Sequence, residues 1–392
     1  MSSIRGKPAA ALFVVSLAVF VDLLVYGMMV PVLPGYASGL GASQSTLGLL
    51  LGAFGVAVVA ATPLFGVLSD RYGSKWPMVG GLVGLAASTL LFAYAPGLGW
   101  LFVARTLQGA SSAASWVAGL ALLARVYPAA ERGRAMGTAM AGTVLGTLLG
   151  PPLGGFLHDV GGMRLPFLVA AGIATADGLA RLTLISEGQR NHGQGGAFAV
   201  RALLSNRLVL VGGVAVLFGA ASHALIEPVL PLHLSEVLGA SATAVGLLFG
   251  ASALAYGLCA PAIGALSDRI GRPVLIGTGL VASGILLPLL VAPGDLLVQG
   301  LVMAAFGIAT GCALAPATPY LAEAAERRGF TNYGLVYAFF NLAFAAGLTS
   351  GPVLAGLLAD TLGPSAGLTV AGAIVCAYGV WMLFAMRSAE AR

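Results

Sequence analysis

Hydrophobic positions in this chain form long, nearly unbroken runs, and the polar positions cluster between them. We count twelve runs, each near or above the ~20 residues that a helix needs to cross the apolar core of a bilayer. They cover residues 9–35, 45–68, 77–95, 99–124, 135–157, 165–185, 207–233, 244–266, 274–292, 296–321, 333–358 and 366–386. Backbone polar groups find no partner in lipid except one another, so the runs should be helical. The pattern predicts an all-α membrane protein with twelve transmembrane helices.

The two halves of the chain repeat each other in order. PVLPGYASGLG from Pro31 matches PVLPLHLSEVLG from Pro228, GVLSDRYG from Gly66 matches GALSDRIG from Gly264, and GPPLGGFLHDVGG from Gly150 matches GPVLAGLLADTLG from Gly351. We therefore predict two pseudo-symmetric six-helix bundles, residues 1–186 and 207–392, joined by a polar, glycine-rich cytoplasmic linker over 187–206. Two such bundles around a central axis would form a midplane site that faces either side of the membrane in turn.

Composition and charge placement support a membrane location. Only 8% of the residues are charged, against about a quarter in soluble domains. With the N-terminus in the cytoplasm, seventeen of the 19 Lys and Arg residues fall on the cytoplasmic side. This predicts a multi-pass protein with cytoplasmic termini, in which MSSIRGK precedes a retained first helix. We expect it in a prokaryotic inner (plasma) membrane. The net charge of +5 then reflects orientation, so no nucleic-acid partner is expected.

Several kinds of chemistry lack the residues that they need. The three cysteines lie within predicted spans, the four histidines are dispersed, and no G-x-x-x-x-G-K-[ST] phosphate loop occurs. We therefore expect no disulfide framework, no metal and no other cofactor. Energy for transport should then come from an ion gradient. An enzyme is not expected, because no catalytic cluster has usable spacing. Separately, we expect a monomer.

Three motifs resemble those of the major facilitator superfamily. GVLSDRYG and GALSDRIG resemble its signature loop, and ARTLQGASSA from Ala104 resembles its helix-4 motif. AGTVLGTLLGPPLGG from Ala141 is similar to the helix-5 motif of its drug:proton antiporters. More narrowly, ARTLQGASSAASWVAGLALLARVYPAAERGRAMG and IEPVLPLHL resemble the vesicular monoamine transporters and their bacterial drug-antiporter relatives. The resemblance implies a twelve-helix transporter that couples export to protons.

Asp22 lies within the first apolar run, where a carboxylate costs about 2.5–3.5 kcal/mol on insertion scales. Asp22, Tyr26 and Met29 share one helix face at i, i+4 and i+7. An acid beside an aromatic ring and a methionine suits an organic cation. A proton and the cation would compete for the carboxylate, which is the minimal chemistry of antiport. The alternative is a permanent ion pair of Asp22 with Arg105 that braces two helices.

Other candidate site residues lie in four further spans. Arg105, next to Gln108, shares one side of helix 4 with Ser112 and Trp116, and the resemblance implies that this arginine tunes proton transfer. Trp116 contacts substrate or only packs, and Asp177 is expected to form an intrahelical ion pair with Arg181 at i+4. The remaining pocket residues are Glu227, which matches the family's helix-7 acid or reaches interfacial water, His223 one turn before it, Phe340 and Asn341.

The chain departs from the monoamine transporters at several positions. Leu314 and Asn341 stand where that family carries acids in helices 10 and 11, and Phe54 replaces its helix-2 lysine. The C-terminal half therefore lacks most of that family's proton machinery.

Candidate gating residues lie at the ends of helices. Gly73 and Gly271 permit tight turns, and by analogy with the superfamily Asp70 would cap a helix near Asn332 and Asp268 one near Arg132 when the cytoplasmic side is closed. The alternative is that the charged residues only keep these loops solvated. Gly142, Gly146 and Gly150 favour either static packing or an extracellular gate. The full predicted set is Asp70, Arg71, Gly73, Gly146, Gly150, Pro151, Asp268, Arg269 and Gly271.

These features predict a proton-coupled antiporter that exports small, amphipathic, cationic organic compounds by alternating access, with protons and the lipid bilayer as its other partners. One alternative is an exporter of a neutral or anionic metabolite or a tetracycline-like compound, in which Arg105 binds cargo and Asp22 only the proton. An intramembrane enzyme is the alternative from another class.

Overall fold

The computed structural model describes residues 8–184, 205–327 and 333–390. Within these ranges the chain forms helices and no strands. The fifteen described helices are α1 (Pro8–Met29), α2 (Leu33–Gly39), α3 (Gln44–Tyr72), α4 (Lys75–Ala93), α5 (Leu98–Val126), α6 (Ala129–Gly161), α7 (Arg164–Leu184), α8 (Arg207–Leu225), α9 (Leu230–Leu238), α10 (Ala242–Ile270), α11 (Arg272–Leu289), α12 (Leu296–Leu314), α13 (Ala317–Glu326), α14 (Tyr333–Leu362) and α15 (Pro364–Glu390). Twelve described segments are long and apolar enough to cross a membrane. The predicted fold class is confirmed.

Three spans are not the continuous helices that their hydrophobic runs predict. The helix stops between α1 and α2 at 30–32, between α8 and α9 at 226–229, and between α12 and α13 at 315–316. The first two breaks fall on the repeated PVLP sequence, and Pro316 lies in the third. Proline lacks the N–H of the helix ladder and disfavours helical backbone in the preceding residue. Glu227 therefore lies in a turn and not on a helix face shared with His223.

The chain divides into two compact units. The first comprises Met1–Gly41, Ala53–Gly193 and Ser241–Gly250, and the second comprises Ala42–Gly52, Gln194–Ala240 and Ala251–Arg392. Each unit thus follows one sequence repeat, except that it also holds the first turns of a helix from the other repeat. The bundle boundaries at 186 and 207 stay a prediction, and most of the linker lies outside the described residues.

In the first unit, α1 packs on α5, α6 and α7. A stripe of glycines on α6 faces α1: a Cβ on Gly142, Gly146 or Gly150 would lie 2.6–2.7 Å from a carbonyl oxygen of α1. Only glycine allows the two backbones to approach so closely. The stripe therefore fixes the position of the helix that carries Asp22. In this structure α6 continues through Pro151 and Pro152. The predicted gate stays a prediction.

The second unit repeats this arrangement. There α8 packs on α14, and Gly347 and Gly351 of α14 approach carbonyl oxygens of Leu217 and Ala221. The two units therefore share one packing scheme for the first helix of each repeat, whatever chemistry that helix carries.

Candidate functional site

Asp22 lies on α1 with only 4% of its surface exposed. Its Oδ2 accepts hydrogen bonds from the Ser112 hydroxyl at 2.6 Å and the Trp116 indole N–H at 2.8 Å, both from α5. Among the described residues, Oδ1 accepts no hydrogen bond and no basic group lies within 4 Å of the carboxylate. Because an indole N–H can only donate, Oδ2 stays an acceptor. An arriving proton or cation would therefore bind at Oδ1.

Arg105, 1% exposed, lies between aromatic rings. Its guanidinium carbon is 4.7 Å from the ring centroid of Tyr26 and 5.0 Å from that of Phe54, and the two rings pack edge to face. Cation–π contacts of this kind stabilise a desolvated arginine. No described carboxylate pairs with Arg105, so the permanent Asp22–Arg105 ion pair is absent from this structure. Phe54, noted only as a departure from the family, forms part of this aromatic pair.

Arg105 and Gln108 each have one buried N–H donor without a partner in the described part of the chain. Its Nη1 donates to Gln108 Oε1 at 2.8 Å and lies 3.8 Å from the sulfur of Met29. Among the described residues, Arg105 Nε and Gln108 Nε2 are buried without any hydrogen-bond partner. Such groups are costly to bury unpaired, which makes this position suited to an acceptor atom of a ligand.

Asp177 and Arg181 form the predicted intrahelical ion pair on α7. Both side chains are almost fully buried, and Nη2 to Oδ2 measures 2.5 Å. Arg181 Nη1 also donates to Ser115 Oγ at 3.2 Å and to the Met78 carbonyl at 3.4 Å. The pair is therefore part of a network with α4 and α5. Sequence reasoning missed Ser115, because no local pattern connects it to α7.

The second unit holds the other predicted site residues. Glu227 is 2% exposed in the turn after α8, and His223 is half-buried in the last turn of that helix. On α14, Phe340 stacks on Phe344 with ring centroids 6.1 Å apart, and Asn341 is exposed. These residues have the polar and aromatic character expected of a binding surface, and their assignment to the site stays a prediction.

Each signature-loop carboxylate pairs with an arginine of its own unit. Asp70 lies 3.5 Å from Arg125, and Asp268 lies 3.1 Å from Arg272 at i+4. Gly73 and Gly271 adopt φ values of +84° and +93°, a backbone that disfavours other residues. The Asn332 contact predicted for Asp70 lies outside the described residues. The gating roles of Asp70, Arg71, Asp268 and Arg269 stay predictions.

Helix capping by a distant carboxylate occurs instead at the opposite helix ends. In the first unit Asp159 Oδ2 accepts from the backbone N–H of Thr243, at the start of α10, at 2.9 Å. In the second unit Asp360 accepts from the backbone N–H groups of Gln44 and Ser45, at the start of α3, at 3.0 and 2.8 Å. Sequence reasoning missed both residues. The signal was present, since Asp159 and Asp360 occupy the same place in the matched GPPLGGFLHD and GPVLAGLLAD segments.

Close backbone contacts accompany both caps. In the first unit Gly155 and Gly246 approach the backbone of Ala242 and Pro151, and in the second unit Gly48 and Gly356 approach that of Pro352 and Gln44. A side chain at these positions would separate the helices, because the space that its Cβ needs is occupied by backbone atoms. The two caps therefore belong to one repeated helix contact.

Each half of the chain separately matches a known protein family. The sequence pattern of the Major Facilitator Superfamily matches twice, over residues 15–222 and 212–392. Nearly the whole chain is thus covered by one transporter family.

Among curated proteins, the human "Chromaffin granule amine transporter" is 31% identical over 88% of this chain and 66% of its own length. The "Synaptic vesicular amine transporter" of Rattus norvegicus is 30% identical over 88% of this chain and 67% of its own length. The chain therefore spans about two thirds of the length of these relatives.

Among solved structures, the chain is similar to a bacterial homolog of the human lysosomal transporter Spinster, whose structure is described as inward-facing and unoccupied. The TM-score is 0.76, with coverage of 96% of this chain and 94% of the other, at 16% identity. At this identity the similarity concerns the fold alone.

Proposed function

The chain belongs to the major facilitator superfamily of membrane transporters, and we propose that it exports cationic, amphipathic organic compounds in exchange for protons. Transporters, and not enzymes, make up the family and its curated relatives. The names of the relatives describe amine transport, which supports a cationic cargo for this chain without specifying one.

The observation that carries the proposal is the half-satisfied carboxylate of Asp22. A buried carboxylate needs a proton, a cation or several hydrogen-bond donors to offset the loss of water. The first unit supplies two hydrogen-bond donors to Oδ2, and among its described groups none donates to Oδ1. A site with one oxygen held and one available can take either a proton or a positively charged ligand.

The charges around Asp22 make the two ligands equivalent. The buried charged side chains described in the first unit are Asp22, Arg105, Asp177 and Arg181, which sum to zero when all are ionised. A proton or a monovalent cation at Asp22 raises this sum by the same amount. Because burying net charge is costly in a membrane, two ligands that leave the same charge can replace each other at one carboxylate.

Transport in proteoliposomes tests this proposal. With an imposed pH gradient, wild-type protein should accumulate tyramine and tetraphenylphosphonium, and uptake should stop when the gradient is dissipated. Asp22→Asn should abolish this uptake, and Asp22→Glu, which keeps the carboxylate, should retain part of it. Full uptake by Asp22→Asn, or uptake that ignores the gradient, would contradict the proposal.

A second candidate rests on the unpaired donors at Arg105 and Gln108. Two buried N–H groups without acceptors among the described residues favour a ligand with an acceptor oxygen, such as a neutral or anionic metabolite or a tetracycline-like compound. Asp22 would then bind only the proton. An uptake panel that adds tetracycline and a neutral sugar separates the candidates: selective transport of these compounds, lost in Gln108→Leu, would favour the second.

We propose that both termini are cytoplasmic, on the distribution of the Lys and Arg residues, and that the protein resides in a prokaryotic inner membrane. Protease accessibility of a tag at either end, in right-side-out and inverted vesicles, tests this orientation. A tag digested from outside intact cells would contradict it.

A further inference from the structure

The Asp177–Arg181 pair is a second set of buried charges in the first unit, and proton–cargo exchange at Asp22 does not by itself require it. Both side chains are about 1% exposed. Removing two charges from water often costs more than their attraction returns, so a buried ion pair is weak evidence of a stabilising role. Two buried atoms of the pair, Asp177 Oδ1 and Arg181 Nε, also lack partners among the described residues. The pair is therefore an expensive way to brace α7 against its neighbours.

One face of α5 connects this pair to Asp22. Ser112, Ser115 and Trp116 follow each other at i, i+3 and i+4, a spacing that places them together on a helix. Ser112 and Trp116 donate to Asp22, and Ser115 accepts from Arg181. The guanidinium and the carboxylate are thus held by neighbouring residues on one face of α5.

Besides Arg181, the helices around Asp22 carry several other charged or titratable groups. The helices packed on α1 are α5, α6 and α7. From α5 comes Arg105, whose charge faces the rings of Tyr26 and Phe54, and from α1 itself comes Tyr26. From α7 come Asp177 and Arg181, with Arg164 at its first residue, and Arg125 lies in the last turn of α5. The titratable residues of α6 lie near its two ends: Glu131, Arg132, Arg134, His158 and Asp159.

We propose that Arg181 is a positioning residue for the exchange at Asp22, where it stabilises the ionised carboxylate that forms when the proton leaves. The inference rests on the proposed function. Asp177 holds the guanidinium in place and offsets part of its charge, and Ser115 fixes its distance from the α5 residues that hold Asp22. Arg181 can act on Asp22 without direct contact, because the dry protein interior screens Coulomb interactions weakly.

Infrared titration of the Asp22 carboxyl tests this without any cargo. The C=O band of protonated Asp22 is identified by its loss in Asp22→Asn, and its midpoint pH is then measured in variants of the pair. Arg181→Gln should move the midpoint upward by about one pH unit, because a nearby positive charge is lost. Asp177→Asn should move it downward, because the charge of Arg181 is then uncompensated. Arg181→Lys, which keeps the charge, should restore the wild-type midpoint.

The opposite directions separate an electrostatic role from a structural brace. A brace predicts lower thermal stability in Arg181→Gln and Asp177→Asn with one unchanged midpoint, and that result would overturn the inference. If Arg181→Gln does not fold, the downward shift in Asp177→Asn still decides the question. Adding tyramine to the same samples tests the proposed function separately, since cargo should remove the Asp22 band by displacing its proton. Shifted midpoints with a band that ignores cargo would support this inference and count against the proposed function.

Discussion

The interiors of the two units differ far more than their packing does. Both units place the first helix of a repeat against a glycine stripe, and both break that span at PVLP. The described interior of the first unit contains four buried charged side chains, whereas that of the second contains one, Glu227. The sites are also not equivalent by position: under the match of Pro31 to Pro228, Asp22 corresponds to Gly219. The duplicated scaffold therefore supports unequal chemistry, and we infer that the first unit carries the exchange.

The largest expected effect is the difference between the two acids. Asp22→Asn should lower the initial rate of cation uptake at least about 100-fold, because it removes the charge that binds both ligands. Glu227→Gln should lower the rate about tenfold or less, because we assign the exchange to the first unit and the amide keeps much of the hydrogen-bonding capacity of Glu227. Uptake by equal amounts of reconstituted protein gives both values. Equal losses in the two variants would mean that the units share the chemistry evenly.

Trp116→Phe should have the next largest effect. It keeps a ring on α5 but removes one of the two donors to Asp22 Oδ2, and hydrogen bonds to charged groups contribute about 1.5–3 kcal/mol. Since cargo binds the ionised carboxylate, its apparent Kd near neutral pH should rise about tenfold. Equilibrium binding of labelled tyramine measures this.

Trp100→Phe is the matched control, because Trp100 lies on the same helix with 51% of its surface exposed. An unchanged Kd in Trp116→Phe, or an equal change in Trp100→Phe, would contradict the role of the indole N–H.

Gly146→Ala should alter stability and transport together. Its Cβ would lie 2.6 Å from the Phe20 carbonyl oxygen, so α1 must shift, and overpacking of this kind costs about 1–3 kcal/mol. Gly347→Ala, at the corresponding α8–α14 contact, should cost a similar amount but reduce uptake less. Thermal unfolding and uptake rates compare the two.

Gly137→Ala controls for the residue change itself. A Cβ at Gly137 meets nothing within 4 Å, so this variant should be neutral or gain up to about 1 kcal/mol from helix propensity. If it loses as much stability as Gly146→Ala, close backbone contact is not the cause.

The smallest effects are expected at the helix caps, where the two units are alike. Asp159→Asn should speed hydrogen exchange at the start of α10, and Asp360→Asn at the start of α3, each about two- to tenfold, because the amide accepts the backbone N–H bonds less strongly than the carboxylate does. Exchange measured by mass spectrometry resolves these peptides. Asp295→Asn, at a cap within its own loop and helix, should affect only the start of α12. Unaltered exchange at Thr243 and Gln44 would show that the caps add nothing.

Much of the fold follows from local pattern, and much of the site does not. The number of spans follows from the lengths of the runs, and the Asp177–Arg181 pair follows from its i, i+4 spacing. The helix breaks were missed because Val30, Ile226 and their neighbours are as apolar as a helix interior. Proline alone does not indicate a break, since α6 continues through Pro151 and Pro152. Contacts between residues far apart in the sequence were also missed, as between Trp116 and Asp22, which are 94 residues apart. The paired Asp159 and Asp360 show that a repeat can reveal such contacts when the two copies are compared residue by residue.

The most direct test of the account is proton release on cargo binding. Tyramine is added to purified protein in weakly buffered solution with a pH-sensitive dye, at a pH where Asp22 is protonated in the infrared titration. Wild-type protein should release about one proton for each cation bound, because the two ligands exclude each other at Asp22, and Asp22→Asn should release none. Cargo binding without proton release, or equal release from Asp22→Asn, would contradict the central claim.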